Sequence, residues 1–518
     1  MKHIILYISI LTATVLTGCI KEVPTSNAIT DDNIVTSLEN LKSAANGGYS
    51  LFKDHLPFNG QADDNLMYLR QYFQMSDFAS DDIVCGQVTE DPLFNSFSYG
   101  HTPLQTNSRY FWYVSYKMIS GMNTVIAAME NQSNIDAASS QLLGECYFLR
   151  AFAHFNLAKF YALPYTTNPD EPGIILRQSI DDPSQKARST VKEVYDAVIA
   201  DAKKAAELMN QPRGNMYASK EAAYALLSRV YLYEGNNDST IFYSNEVVNS
   251  GRYALETADS YPDLFANAKT SAETIFCIGF TDKEDYGKSI ITCYARIDGY
   301  GKFGSIASMI YSDGNSGWGE EFASASLRKI TEEHPEDVRN SYIVPSEDDN
   351  GDIQTLNGID VYYITKFSFQ DGSPTLSSPI MFRLAEMYLN RAEAYAKKND
   401  VTNALKDIDK IRENRGLEAS LYNGTVPAGM TLLETVLKER RMELAFEGHR
   451  TFDLFRNKLN LNRTYWGYHI PGLKETDINP SEDPVNYQNT LITWQDPKII
   501  YFIPIDEIET NKLCIQNP

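Results

Sequence analysis

Residues 224–231 read YALLSRVY, and residues 388–395 read YLNRAEAY. Both resemble the tetratricopeptide pattern W-x2-L-G-x2-Y, in which small residues let two helices approach closely and aromatic residues fill the groove between them. After the second segment, Ala404 and Ile408 stand at the distances that the pattern requires, whereas Thr240 takes the alanine position after the first. Two imperfect matches far apart in the chain predict an interrupted array of helix pairs.

The rest of the chain extends this helical prediction. Apolar spacing predicts further helices over residues 37–55, 107–130, 135–161, 190–209, 218–234 and 431–457, with a capping box at Thr190 and Glu193. Residues 56–107 are expected to form loops, and residues 256–376 to interrupt the array, with short strands at 274–280 and 361–367 and another at 499–503. The fold class is therefore mostly α: tetratricopeptide-like helix pairs, a large irregular loop-rich half and a few short strands.

The N-terminus has the pattern of a secretory signal. Lys2 and His3 precede an apolar run over residues 4–15, which ends in Leu-Thr-Gly-Cys at residues 16–19. This pattern predicts a lipoprotein signal peptide over residues 1–18, a lipid anchor on Cys19 and a flexible tether over residues 19–34. The alternative is an ordinary signal peptide with a bystander cysteine at its cleavage site.

Charge and cysteine content exclude several classes of partner and site. The chain has 68 acidic and 46 basic residues, a net charge of −22, which argues against nucleic acid as a partner. No second apolar stretch is long enough to cross a bilayer. The five cysteines after Cys19 contain no C-x-x-C pair, so we expect mostly buried free thiols with at most one or two disulfides. The scattered histidines predict no zinc site, and we expect no cofactor.

Four ordered segments resemble one family, the SusD/RagB-like outer-membrane lipoproteins that accompany TonB-dependent transporters. The most specific segment is ERRMELAFEGHR at residues 439–450, followed by Phe452, Asp453 and Arg456. The other three segments lie at residues 144–164, 189–205 and 503–518. Together they span nearly the whole chain after Cys19.

The resemblance implies both an architecture and a role. Four tetratricopeptide-like helix pairs would support a more irregular ligand-binding half, divided here into an N-terminal region at 35–255 and a C-terminal region at 256–518. The role implied is capture of a nutrient, usually a glycan, at the cell exterior and delivery to a SusC-like TonB-dependent β-barrel transporter. Lys21-Glu22 resembles the short charged signal that sends such lipoproteins to the outer face of the outer membrane.

Two predicted loop regions carry the side chains that sugar recognition needs. Flat aromatic faces suit the apolar side of a pyranose ring, and planar polar groups bond neighbouring hydroxyls in pairs. Trp112, by contrast, is expected in the core. The candidate ligand contacts are Tyr68, Arg70 and Tyr72 in the region 63–82, and Tyr300, Tyr311 and Trp318 in the region 296–318.

Alternative chemistries start from acidic residues. Glu443 and Glu447, expected four residues apart on one helix, could serve as an acid and a base, which would make the protein a glycan-degrading lipoprotein. Surrounded by arginines, they are better explained as part of a charge network that braces neighbouring helices. Residues 346–352 could chelate calcium but fit a solvated acidic turn better. A third alternative is a tetratricopeptide scaffold that binds a protein or peptide.

Overall fold

A computed structural model describes residues 31–60, 66–85, 92–132, 134–281, 321–348, 350–356, 359–372, 376–463 and 491–518. This part of the chain is mostly helical, which confirms the predicted fold class. The helices are α1 (Leu38–Ser50), α2 (Tyr68–Ser76), α3 (Pro92–Ser98), α4 (Thr106–Glu130), α5 (Ala137–Tyr161), α6 (Val191–Leu208), α7 (Lys220–Glu234), α8 (Asn237–Val248), α9 (Ala325–Thr331), α10 (Leu384–Lys397), α11 (Val401–Glu413), α12 (Leu432–Glu443), α13 (Arg450–Arg456) and α14 (Ile505–Thr510).

The strands are short and pair two by two, always antiparallel. They are β1 (Ile83–Cys85) with β3 (Glu321–Ala323), β2 (Thr274–Cys277) with β8 (Ile380–Arg383), β4 (Ile343–Pro345) with β7 (Tyr362–Ile364), β5 (Thr355–Leu356) with β6 (Ile359–Asp360), and β9 (Leu461–Asn462) with β10 (Leu491–Ile492).

The interrupted array of helix pairs is continuous in space. Helices α4 to α8 pack side by side in chain order, α8 packs on α10, and α10 packs on α11. Strand β2 begins the interruption and pairs with β8, which runs directly into α10. This pairing brings the two ends of the insertion together, so that α10 packs next to α8 and continues the helix array.

The small residues of the tetratricopeptide pattern lie where the helices approach each other. Ala404 and Ile408 are fully buried between α10 and α11, as predicted. In the α7–α8 pair, Thr240 takes the alanine position and is fully buried, and the hydroxyls of Ser228 and Ser244 lie 2.8 Å apart. These contacts confirm the tetratricopeptide interpretation of both segments.

Local signals placed several helix ends correctly. The Thr190 hydroxyl accepts the backbone N–H of Glu193, and the Glu193 carboxylate accepts the N–H of Thr190, which confirms the capping box. The break between α4 and α5 falls at the predicted polar segment, after which the Asp136 carboxylate caps α5. Trp112 on α4 is buried, also as predicted.

Other predictions of secondary structure are wrong. Residues 56–107 are not all loop, since they contain α2 and α3. The strand expected at 499–503 does not form, because the Tyr501 N–H donates to the carbonyl of Phe160 and the Asn517 amide donates to the carbonyl of Tyr501. Residues Asp31–Thr36, expected at the tether boundary, form a 3-10 helix with Ile34 buried.

Most of the described elements share one core. One cluster of buried apolar side chains includes residues from Ile34 to Cys514, and α5 is buried over residues 141–161. A separate cluster lies between α10, α11 and α12. Cys146, Cys277 and Cys514 are buried free thiols, as expected for them. Within the described ranges, we find no helix with the length and apolarity to span a membrane.

Candidate ligand-binding site

The first predicted ligand region, residues 63–82, is not a loop over most of its length. Tyr68–Ser76 forms α2, and every residue of that helix is buried. The apolar and aromatic residues occupy one side of the helix, while Arg70, Gln71 and Gln74 lie on the other side and are buried as well, so contacts with other elements and not the sequence pattern alone bury this helix. Helix α4 and the turn that follows α12 cover two of its sides.

Tyr68 and Tyr72 are core residues in this arrangement. The Tyr68 hydroxyl accepts the Asn156 amide at 3.0 Å, and its ring lies 4.6 Å from that of Phe111. The Tyr72 hydroxyl accepts the amine of Lys159 at 3.2 Å. Burial raises the pKa of both phenols. Neither ring has a face open to a ligand, because both side chains are buried.

Arg70 occupies a different position on the same helix. Its residue surface is 7% exposed, and its Nε has no hydrogen-bond partner among the residues that the structure describes. A buried guanidinium N–H without an acceptor is costly, so an oxygen acceptor at this position would stabilise it. Arg70 therefore stays a candidate contact.

The strands that follow the two predicted regions pair with each other. In the β1–β3 ladder, Cys85 is opposite Glu321 and Ile83 is opposite Ala323. Strand β1 follows the first region directly, and β3 follows the second. The two strands that come directly after the regions that the sequence singled out are thus neighbours. Tyr300, Tyr311 and Trp318 themselves lie outside the described residues, as does Cys19.

Ion pairs fix the chain just before β1. The Arg450 guanidinium donates twice to the Asp81 carboxylate, at 2.7 and 2.8 Å, and Arg441 donates to Asp82 at 2.6 Å. Ser324, just after β3, donates its hydroxyl to the Asp81 carbonyl at 2.7 Å. Burial favours a raised pKa for Asp81, but the two arginines outweigh it and lower that pKa. Helices α12 and α13 thereby hold the base of the β1–β3 ladder.

These supporting contacts were only partly foreseen. Arg441 and Arg450 belong to the ERRMELAFEGHR segment, for which the sequence predicts a charge network that braces helices. The sequence does not identify their partners in the first ligand region. No local signal reveals them, because the partners are more than 350 residues apart in sequence. A pair of consecutive aspartates ahead of a short strand was the one available hint.

Glu443 and Glu447 do not share a helix face, contrary to prediction. The long helix expected over 431–457 is two helices, and Glu443 ends α12 while Glu447 lies in the turn before α13. The turn contains two residues with left-handed backbone, Phe446 at φ 66° and Gly448 at φ 77°. Both carboxylates nevertheless bind one guanidinium, that of Arg383, at 2.6 to 2.8 Å.

The surroundings of these glutamates are those of a structural cluster. Glu443 is fully buried and also accepts from Arg415 at 2.7 Å and from Arg339 at 3.2 Å. Burial alone would raise the pKa of Glu443, but Arg415, Arg383 and Arg339 outweigh it and hold that pKa well below its usual value. A sealed, ionised carboxylate cannot serve as a general acid. The prediction of a bracing charge network is confirmed for this cluster.

The acidic turn at 346–352 uses its carboxylate for its own backbone. Asp348 accepts the N–H groups of Asn350 at 2.7 Å and of Asp352 at 3.0 Å. Those backbone hydrogen bonds lower the pKa of Asp348. Among the residues that the structure describes, no group of three or more potential metal-ligating side chains comes together.

Two family models match this chain. Residues 272–518 match the model described as the SusD family. Residues 61–232 match a model described as starch-binding and associating with the outer membrane. The match at 61–232 contains the predicted ligand region 63–82. The match at 272–518 contains the predicted ligand region 296–318.

Individual relatives agree with both matches. A SusD-like protein of Formosa agariphila is 23% identical over 486 residues, which cover 87% of this chain and 90% of that protein. A solved SusD superfamily structure from Bacteroides thetaiotaomicron is 25% identical and has a TM-score of 0.77. The match covers 93% of this chain and 100% of that one. A candidate sugar-binding protein from Bacteroides vulgatus, also 25% identical, has a TM-score of 0.73, with 93% of this chain and 98% of that one covered.

Proposed function

Because this chain belongs to the SusD family, we propose that it is a non-catalytic protein of the outer membrane that binds a carbohydrate. The model matched by residues 61–232 is described as starch-binding and as associating with the outer membrane, which supports both the ligand class and the location. The candidate sugar-binding structure from Bacteroides vulgatus supports the same ligand class.

The observation that carries the proposal is the β1–β3 ladder. It pairs the strands that follow the two regions whose aromatic and planar polar residues suit sugar recognition, although these regions are more than 200 residues apart in sequence. Arg70, in the first region, has a buried Nε without a hydrogen-bond partner among the described residues. Trp318, three residues before β3 and flanked by Gly317 and Gly319, is our leading aromatic contact, joined by Tyr300 and Tyr311.

The absence of catalysis in this proposal rests on the charge cluster. Glu443 and Glu447 were the strongest candidates for an acid and base pair, and both are buried and bound by arginine. Their low pKa values leave no proton to donate near neutral pH. They support the fold of the site and take no part in bond cleavage.

The role also includes delivery. In our proposal, Cys19 carries the lipid that holds the protein on the outer face of the outer membrane, and residues 20–30 link it to the folded body. A SusC-like TonB-dependent β-barrel transporter then receives the bound carbohydrate. Isolation of the tagged protein from its native membrane should co-purify such a barrel, and a preparation free of any barrel would contradict this part.

Ligand binding is tested with Trp318→Ala. We expect the variant to lose affinity roughly tenfold for the polysaccharide that binds best in a panel of neutral and acidic glycans, because a stacked aromatic ring supplies up to about 1.5 kcal/mol and about 1.4 kcal/mol corresponds to a factor of ten. Isothermal titration calorimetry measures the affinity, and a thermal melt checks that the fold is intact.

The matched control is Phe242→Ala on α8. Phe242 is 55% exposed, so its loss removes a surface aromatic ring at little cost to folding and should leave the affinity unchanged. Equal affinities of Trp318→Ala and the parent protein would remove Trp318 from the site. Binding to no glycan of the panel would contradict the function, and release of reducing ends would support the glycan-degrading alternative.

A further inference from the structure

A second groove, whose lining contains no residue of β1 or β3, lies on an uncovered stripe of α4. Arg109, Trp112, Tyr113 and Tyr116 recur at helical spacing and form its floor. The turn at residues 57–59 forms one wall, and α14 forms the other. The groove is open and has a volume of about 540 Å³, within the range of about 300–1,000 Å³ that small-molecule sites occupy.

The floor of this α4 groove is aromatic. The rings of Tyr113 and Phe58 lie 5.3 Å apart at 43°, and those of Trp112 and Tyr116 lie 4.8 Å apart at 53°. Tyr113 and Tyr116 are half-buried, whereas Trp112 is almost covered. Partly exposed, mutually supported rings provide the flat apolar surface on which a pyranose ring packs.

Planar polar groups stand beside the rings in fixed positions. Arg109 donates twice to the Asp506 carboxylate, at 2.7 and 2.8 Å, and its guanidinium lies 5.4 Å from the centre of the Phe58 ring. Glu507 is held from two sides, by the indole N–H of Trp112 at 3.3 Å and the Asn511 amide at 2.8 Å. Such preorganised carboxylates can accept further hydrogen bonds from neighbouring sugar hydroxyls at little entropic cost.

The charges of the groove indicate its occupant. Arg109 and Lys117 are balanced by Asp506 and Glu507, so the lining favours neither an anion nor a cation. An acidic glycan or a strongly charged peptide would leave part of this balance uncompensated. A neutral ligand with many hydroxyls suits both the rings and the carboxylates.

We propose that the α4 groove is a second binding subsite for a neutral oligosaccharide, an inference that rests on the carbohydrate-binding function proposed above. None of the groove residues belongs to the regions 63–82 or 296–318 proposed for the first site, and the groove residues of α4 occupy the side of the helix opposite Phe111, which contacts Tyr68 on α2. A polysaccharide chain could then be held at two places on one molecule, which raises its apparent affinity through effective concentration.

The test uses Trp318→Ala, so that the first site is weakened. We titrate this variant of the full chain with neutral malto-, cello-, xylo- and manno-oligosaccharides of about six units, and follow hydrogen exchange at residues 106–120 and 504–511. We expect residual binding of at least one oligosaccharide, with slower exchange in both segments. Adding Tyr113→Ala should weaken that binding roughly tenfold.

Two further variants make the outcome decisive. Ser120→Tyr fills the groove from an exposed position and should block binding without removing any packing contact. Tyr395→Ala, at a half-buried tyrosine on α10, is the matched control and should leave binding unchanged. If Tyr113→Ala and Ser120→Tyr both leave the residual binding unchanged, the α4 groove is not a subsite, although the proposed function is unaffected. If the parent protein binds no oligosaccharide or polysaccharide, the proposed function fails, and the subsite fails with it.

Discussion

At the scale of single residues, buried arginines are the most informative feature of this molecule. Arg383, Arg415 and Arg339 come from three separate segments and all bind Glu443. The desolvation cost of so many buried charges is large, and it is offset only when every charge has its partners. The cluster therefore depends on each carboxylate it contains.

Glu443→Gln should destabilise the protein by about 3–5 kcal/mol, because the three guanidiniums lose the charge that compensates them. Chemical denaturation at pH 7 measures this free energy of unfolding. Glu413→Gln, at an exposed position on α11, is the control and should change it by less than about 0.5 kcal/mol.

The difference in unfolding free energy between the parent protein and Glu443→Gln should depend on pH. The pKa of Glu443 is lower in the folded state than the usual value of 4.5. Such a group stabilises the fold above its unfolded pKa, and this stabilisation is lost as the pH falls and the carboxylate becomes protonated. The difference in unfolding free energy between the parent and Glu443→Gln should be largest near pH 7 and shrink below about pH 4.5. A difference that is constant with pH would contradict the ionised cluster.

At the scale of elements, the turn between α12 and α13 organises the site. It replaces the continuous helix that apolar spacing predicted, and it places Gly448 against α2. The backbone N–H of Gly448 donates to both carboxylate oxygens of Asp77 at 2.8 Å. A Cβ on Gly448 would lie 2.7 Å from the Tyr72 ring. The turn thus needs glycine both for its backbone angle and for this close approach.

Gly448→Ala tests this requirement. Gly424 has the same φ of 77° but open space around it, so Gly424→Ala isolates the cost of backbone strain. We expect Gly448→Ala to lower the free energy of unfolding by about 1–3 kcal/mol more than Gly424→Ala does, because a buried tyrosine must move. Equal losses in the two variants, measured by denaturant titration, would show that the Tyr72 contact is not tight.

At the scale of the whole molecule, the two regions predicted at 35–255 and 256–518 share one core. Arg229 on α7 donates twice to Glu386 on α10, at 2.6 and 2.7 Å, and both side chains are buried. Helix α8 packs on α10 across the same boundary. Each region alone would expose the α7, α8 and α10 side chains of this contact to water.

We therefore expect one cooperative thermal transition for the full chain. Differential scanning calorimetry should give equal calorimetric and van't Hoff enthalpies. Arg229→Met should shift the whole transition to lower temperature without splitting it. Two separate transitions, one of them insensitive to that substitution, would contradict a shared core.

Features that depend on neighbours along the chain could be predicted from the order of the residues alone. Helical spacing, the capping box at Thr190 and the small residues of the two tetratricopeptide segments predicted most helices and how they pair. These signals are local, because a helix satisfies its own backbone within four residues. The segment at 439–450 further indicated the family before any contact was known.

Contacts between distant segments could be seen only in the folded molecule. The composition of residues 56–107 predicted a loop where the buried helix α2 forms. The break between α12 and α13 depends on how the turn packs against Tyr72. The β1–β3 ladder and the pairs of Asp81 and Asp82 with arginines unite residues hundreds of positions apart. Strand pairing and buried ion pairs depend on complementarity through space, which chain order does not encode locally.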